Sequence, residues 1–214
     1  VEVRKDSGDL NGCIELSKNF IKELWGAVEE EFVTEAQVDQ LQAIKTVIAT
    51  PGGQFLSQEE VSDVGEKTIK ALEKSIENRQ KVEEDSDDEE DEEFEKFVKS
   101  EEDNLHTALS EVLGALFKTH KDLCVPIVNF LFSNVFPRFL DSQASPEDHK
   151  FAIFIIDDII EFLGQNIAGD KWNALFEALA KHAADPNDAV RQAACYGLGI
   201  FACYSAPQTI KEQS

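Results

Sequence analysis

The chain has 214 residues, of which 42% are hydrophobic, and a formal net charge of −23. That is enough apolar content for a real core in one large or two small domains. A charge of this sign and size excludes general electrostatic binding to nucleic acid or an anionic membrane, and points to basic protein partners instead. The longest wholly apolar stretch, residues 151–156, is too short to span a bilayer.

In chain order, Ile14, Phe20, Leu24, Val28 and Phe32 recur at helical spacing and predict a first helix over residues 11–32. Thr34-Glu35-Ala36-Gln37 reads as a capping box for a second, with Val38, Leu41, Ile44 and Ile48 on one face. Thr50-Pro51-Gly52-Gly53 ends it, and Ser57-Gln58-Glu59-Glu60 opens a third helix carrying Val61, Val64, Ile69, Leu72 and Ile76.

Residues 83–95 hold eleven acids in thirteen: Glu83, Glu84, Asp85, Asp87, Asp88, Glu89, Glu90, Asp91, Glu92, Glu93 and Glu95. Like charges at this density repel, so the segment is expected to be an exposed arm with helical extensions at its two ends. It reads either as a solvating linker or as an arm that binds basic ligands or serves regulation. Leu105 to Phe117 then predict a fourth helix, and Leu123, Ile127, Leu131, Val135 and Phe139 a fifth, with Pro137 kinking its last turn.

Ser145-Pro146-Glu147-Asp148 starts a sixth helix, apolar almost all round except for a stripe through Lys150, Asp157, Asp158 and Glu161. Such a helix is the middle layer of a stack, and its polar stripe is expected to face solvent. Trp172, Leu175, Phe176, Leu179 and Ala183 mark a seventh helix, with Trp25 and Trp172 both at core spacing. An eighth opens with Asp185 as its cap, Pro186 at its first position and Asp188 in its first turn. Its small residues, Ala189, Ala193, Ala194, Gly197, Gly199 and Ala202, predict close approach of neighbouring helices.

Gly197-Leu198-Gly199-Ile200-Phe201-Ala202 matches a dinucleotide fingerprint of the G-x-G-x-x-A type, but it lies inside a helical pattern with no strand before it. The glycines are therefore read as packing residues. Cys13, Cys124, Cys195 and Cys203 form no C-x-x-C pair and read as buried, reduced thiols. His106, His120, His149 and His182 show no metal-ligand spacing, and no nucleophile or phosphate-binding motif occurs. The expectation is a protein that is not an enzyme and needs no metal or cofactor.

Lys150 superposes on Arg191 and Ala152 on Ala193, a step of 41 residues. A period near 40 built from paired helices, interrupted once by the acidic insertion, is the signature of a HEAT-type α-α superhelix. The predicted fold is therefore an all-α solenoid of about four hairpins. Its repeats are placed at residues 11–50, 57–120 with the insertion at 83–103, 121–164 and 166–205, and residues 206–214 begin a further repeat of a larger parent.

Asp185 followed by Val190-Arg191-Gln192-Ala193-Ala194 resembles the HEAT consensus, which implies an inter-repeat ladder through Asp185 and Arg191. Phe154-Ile155-Ile156-Asp157-Asp158-Ile159-Ile160-Glu161 and Val190-Arg191-Gln192-Ala193-Ala194-Cys195-Tyr196-Gly197-Leu198-Gly199 together resemble the C-terminal half of a karyopherin-β importin of the subfamily that carries ribosomal proteins and histones. The resemblance implies nuclear import of basic cargo proteins regulated by the GTPase Ran, contact with nucleoporins, a monomer shuttling between cytoplasm and nucleus, and cargo contact on the concave face through Asp157, Asp158 and Glu161. The other class consistent with the charge is a HEAT scaffold or acidic histone-type chaperone without a nucleotide switch.

Overall fold

The computed structural model describes residues 6, 8–85, 92–164, 167 and 169–211, with the backbone alone at residues 80, 82–85, 92–96 and 205–211. The described residues are helical throughout apart from turns, and the chain divides into two compact units, Val1–His120 and Lys121–Ser214.

In the first unit, α1 (Leu10–Glu30) is capped by Asp9, whose carboxylate accepts from Gly12 N at 3.0 Å. Its buried stripe is Cys13, Ser17, Ile21, Trp25 and Val28, which keeps only Val28 of the predicted face, and Phe20 and Phe32 are exposed. The inward stripe hid in the sequence because it contains a serine. Ser17 is tolerated there because its hydroxyl donates to the Cys13 carbonyl at 2.9 Å, leaving no unmet polar group.

Helix α2 (Thr34–Ala49) buries Leu41, Ile44 and Ile48 as predicted, but the Thr34 capping box does not form. Val33 occupies the cap position, and Gln37 Nε2 reaches back to donate to the Glu31 carbonyl at 3.0 Å. The Glu31 carboxylate takes the N–H groups of Phe32 and Val33 instead, and those bonds hold it below the usual carboxylate range, that from Val33 most.

Positive φ at Gly52 (71°) and Gly53 (89°) turns the chain into the next hairpin. His120 pins this turn. Its Nε2 accepts from Leu56 N at 3.1 Å and Phe55 N at 3.3 Å, and burial pushes its pKa down to about 4. The Ser57 capping box forms as predicted, Ser57 Oγ accepting from Glu60 N and Glu60 Oε2 from Ser57 N at 2.7 Å. Glu60 also pairs with Lys18 of α1 at 2.7 Å.

Helices α3 (Gln58–Asp85) and α4 (Glu92–His120) pair as a long hairpin. Toward its distal end the core turns polar: Glu102 Oε1, buried, lies 3.4 Å from Arg79, from Ser75 Oγ and from His106 Nε2.

The second unit starts with a 3-10 turn, Lys121–Cys124, whose Lys121 adopts φ 40°. Helix α5 (Val125–Phe130) and helix α6 (Phe136–Phe139) are joined by a π turn, Leu131–Val135. Pro137 explains it: without an N–H and with a ring that would strike the carbonyl four residues back, it forces the preceding turn to widen. A π bulge thus stands where a kink was predicted.

Helix α7 (Pro146–Leu163) carries a complete capping box between Ser145 and Asp148 and is buried along most of its circumference. Helices α8 (Gly169–His182) and α9 (Asp188–Lys211) follow, and α9 packs on both α7 and α8. Trp172 stacks on Phe201 at 4.8 Å, and Trp25 is buried, so both tryptophans are packing residues as read from their spacing.

At Gly197 an added Cβ would run into Asp157 Oδ1 and lie 2.7 Å from Leu179 Cδ2, so this glycine permits the approach of α7 and α8 to α9. At Gly199 nothing lies within 4 Å, and the packing reading fails there. The thiols also divide. Cys13 and Cys124 are buried, the latter pushed up to about 12 by burial, but Cys195 and Cys203 lie exposed on α9. Small neighbours leave the α9 surface open rather than covered.

Candidate functional site

The second helix of a hairpin packs on the second helix of the next within each unit: α2 on α4 in the first, α7 on α9 in the second. Their remaining surface carries the acidic groups. On α2 and α4, Glu35, Asp39 and Glu101 line a shallow groove of about 290 Å³ with Val38, Gln42, Asn104 and Thr107. Beside it Glu111 pairs with Lys45 at 2.9 Å and accepts from Gln42 Nε2. The sequence reading missed this groove, because its acids are drawn from two helices some 60 residues apart and none forms a local motif.

On α7 the predicted stripe divides. Asp158 and Glu161 are half-buried and Lys150 likewise, but Asp157 is only 5% exposed. The expectation that all four face solvent is therefore corrected for Asp157, which turns toward α9 at Gly197. Its Oδ1 has no hydrogen-bond partner among the described residues. Burial, then the nearby charges of Asp158 and Glu161, push its pKa up to about 8, so at neutral pH it is mostly protonated.

Of the acidic arm, Glu83, Glu84 and Asp85 continue α3 and Glu92, Glu93 and Glu95 begin α4, in accord with helical extensions at both ends. Asp87, Asp88, Glu89, Glu90 and Asp91 lie outside the described residues.

Asp185 and Arg191 are placed differently from a simple ladder. Asn187, not Asp185, caps α9, accepting from Ala189 N at 2.9 Å and Val190 N at 3.2 Å. Asp185 sits in the turn before, one carboxylate oxygen accepting from Asn187 N and the other 3.1 Å from His149 Nδ1 on α7, so it does join two hairpins. Arg191 Nη1 donates to the carbonyls of Asp185 and Pro186, both at 2.8 Å, and Nη2 bonds Asp188. Its bonds among the described residues stay within its own turn. His149, His182 and Asp185, which have no ligand spacing in sequence, converge here.

These paired, closely stacked helices define the class of protein: a HEAT-type helical repeat protein of karyopherin fold. Solved structures bear this out. The karyopherin Kap121p bound to the SUMO protease Ulp1p matches with a TM-score of 0.70 and 23% identity over 89% of this chain. Kap121p bound to Nup53p matches at 0.71 and 21% over 92%, and Kap121p bound to Ste12p at 0.70 and 21% over 90%. In each case the chain spans 17% of the length of the karyopherin it matches. The family model described as importin repeat 6 matches residues 36–142. The chain belongs to that importin repeat family.

Proposed function

We propose that this chain is a stretch of a nuclear transport receptor of the karyopherin-β subfamily that imports basic proteins such as ribosomal proteins and histones, and that it supplies acidic groups for the cargo. The observation that carries this reading is the placement of Glu35, Asp39 and Glu101 in one groove of the α2–α4 pair, in a member of the importin repeat family. A lysine or arginine entering a partly shielded acidic groove gains more than an exposed ion pair, worth about 0–1 kcal/mol. Asp158 and Glu161 of α7 form a second set, and residues 83–95 raise the local concentration of cationic segments. Asp157, buried and mostly protonated at neutral pH, is left out of this set.

The Kap121p structures with Ulp1p, Ste12p and Nup53p support partners of two kinds for the parent receptor, cargo proteins and nucleoporins.

Titration of the chain with a lysine- and arginine-rich histone-tail or ribosomal-protein peptide at low and high salt tests the proposal. Binding is expected to weaken steeply with salt and to fall in Glu35→Gln/Asp39→Asn/Glu101→Gln. Unchanged affinity in that folded variant and in one lacking residues 83–95 would remove these groups from cargo recognition. Failure of Ran-GTP to release peptide from the parent receptor would favour the scaffold or chaperone class.

A further inference from the structure

We infer that His149, His182 and Asp185 form a binding site for a borderline divalent metal ion of the Zn2+ class, clamping the start of α7 to the turn between α8 and α9. One nitrogen of each imidazole and a carboxylate oxygen of Asp185 lie within 4.8 Å of one another. All three residues are held by bonds that leave their metal-binding lone pairs free.

His149 Nε2 lies 2.8 Å from the Asp141 carbonyl, which only accepts, so this nitrogen carries the hydrogen and Nδ1 carries a lone pair. That lone pair faces Asp185 Oδ2 at 3.1 Å. Two lone pairs at this distance repel unless a positive particle sits between them. His182 Nδ1 likewise donates to the Ala178 carbonyl at 2.8 Å, which makes Nε2 its lone-pair nitrogen. His182 is 2% exposed, and Nε2 has no hydrogen-bond partner among the described residues. The two rings meet edge to face with centroids 4.6 Å apart.

A proton on His149 would satisfy Asp185 but leave His182 Nε2 buried and unmatched beside an imidazolium. A divalent cation uses all three lone pairs at once. The outer bonds are those that metal-ligating histidines ordinarily make, ring N–H to a main-chain carbonyl. Asp185 is oriented in the same way, its other oxygen accepting from Asn187 N at 2.8 Å. Two imidazoles and one carboxylate suit Zn2+ or Co2+ over Ca2+ or Mg2+, with a fourth position for water.

The whole chain, stripped with chelator, is titrated with ZnCl2 and separately with CoCl2. One equivalent is expected to bind, with Co2+ giving visible d–d bands, and Zn2+ at roughly 100-fold over Kd raising Tm by about 5–10 °C. In nitrogen-15 spectra of the wild-type chain, the rings of His149 and His182 shift and those of His106 and His120 do not. His182→Gln and His149→Gln each abolish the d–d bands, while a chain lacking residues 83–95 keeps them. The inference is overturned if Mg2+ raises Tm as much as Zn2+ does, if the bands persist in His149→Gln/His182→Gln, or if the two rings do not shift on titration. The ring spectra decide the matter even where a variant fails to fold.

Discussion

Replacing Asp157 by Asn is expected to stabilise the protein, and only at a pH where the carboxyl would otherwise ionise. The side chain is buried against Gly197 with Oδ1 unmatched, and its pKa is pushed from 3.8 up to about 8 by burial and by Asp158 and Glu161. A group whose pKa rises on folding contributes its stability fully below the unfolded value, and that contribution is lost as the pH rises through the folded value. At neutral pH the unfolded carboxyl is ionised and the folded one protonated, about 3 pH units above the unfolded pKa, an upper limit of about 4 kcal/mol at 1.36 kcal/mol per unit. Relaxation and water penetration reduce this, and a gain of about 1–3 kcal/mol for Asp157→Asn is expected near pH 8. Near pH 4 the gain should almost vanish. Urea unfolding of both proteins at the two pH values measures it. Equal effects at both, or net destabilisation near pH 8, would show that Asp157 is charged and partnered in the fold.

Gly197→Ala should destabilise by about 1–3 kcal/mol through overpacking against Asp157 and Leu179, and Asp157→Ala should recover part of that loss in a double-mutant cycle. Gly199→Ala, with nothing within 4 Å, should instead stabilise by up to about 1 kcal/mol through helix propensity, as thermal melts will register. His120, neutral in the fold with its pKa lowered to about 4, resists protonation that the unfolded chain accepts, so its contribution falls as pH drops from 6.5 toward 4, by at most about 3 kcal/mol. The wild-type minus His120→Asn difference in unfolding free energy should shrink over that interval, and a flat difference would contradict the buried neutral ring. Asp158→Asn/Glu161→Gln should weaken basic-peptide binding and flatten its salt dependence while leaving the melting temperature within a few degrees.

Helix existence was legible because the apolar periodicity is strong, and the Ser57 and Ser145 capping boxes are local signals that the fold kept. Faces were less legible. On α1, neighbouring apolar stripes compete, and the winner contains Ser17 because a helix can satisfy a buried hydroxyl through its own carbonyl, a bond that hydropathy does not register. At α9, Asp185 and Asn187 are both competent caps, and the choice fell to Asn187 because Asp185 is drawn to His149 on another hairpin.

The sequence by itself determined the all-helical architecture and the acidic character, since these follow from composition and from apolar periods shorter than one helix. Only tertiary structure decided which acids meet solvent, which meet each other and which are buried. Glu35 and Asp39 join Glu101 across two helices, and His149 meets His182 and Asp185 across a hairpin. Asp157, one residue from a half-exposed Asp158, is driven inward because a single helical step of 100° carries it from the open face to the face that Gly197 lets approach.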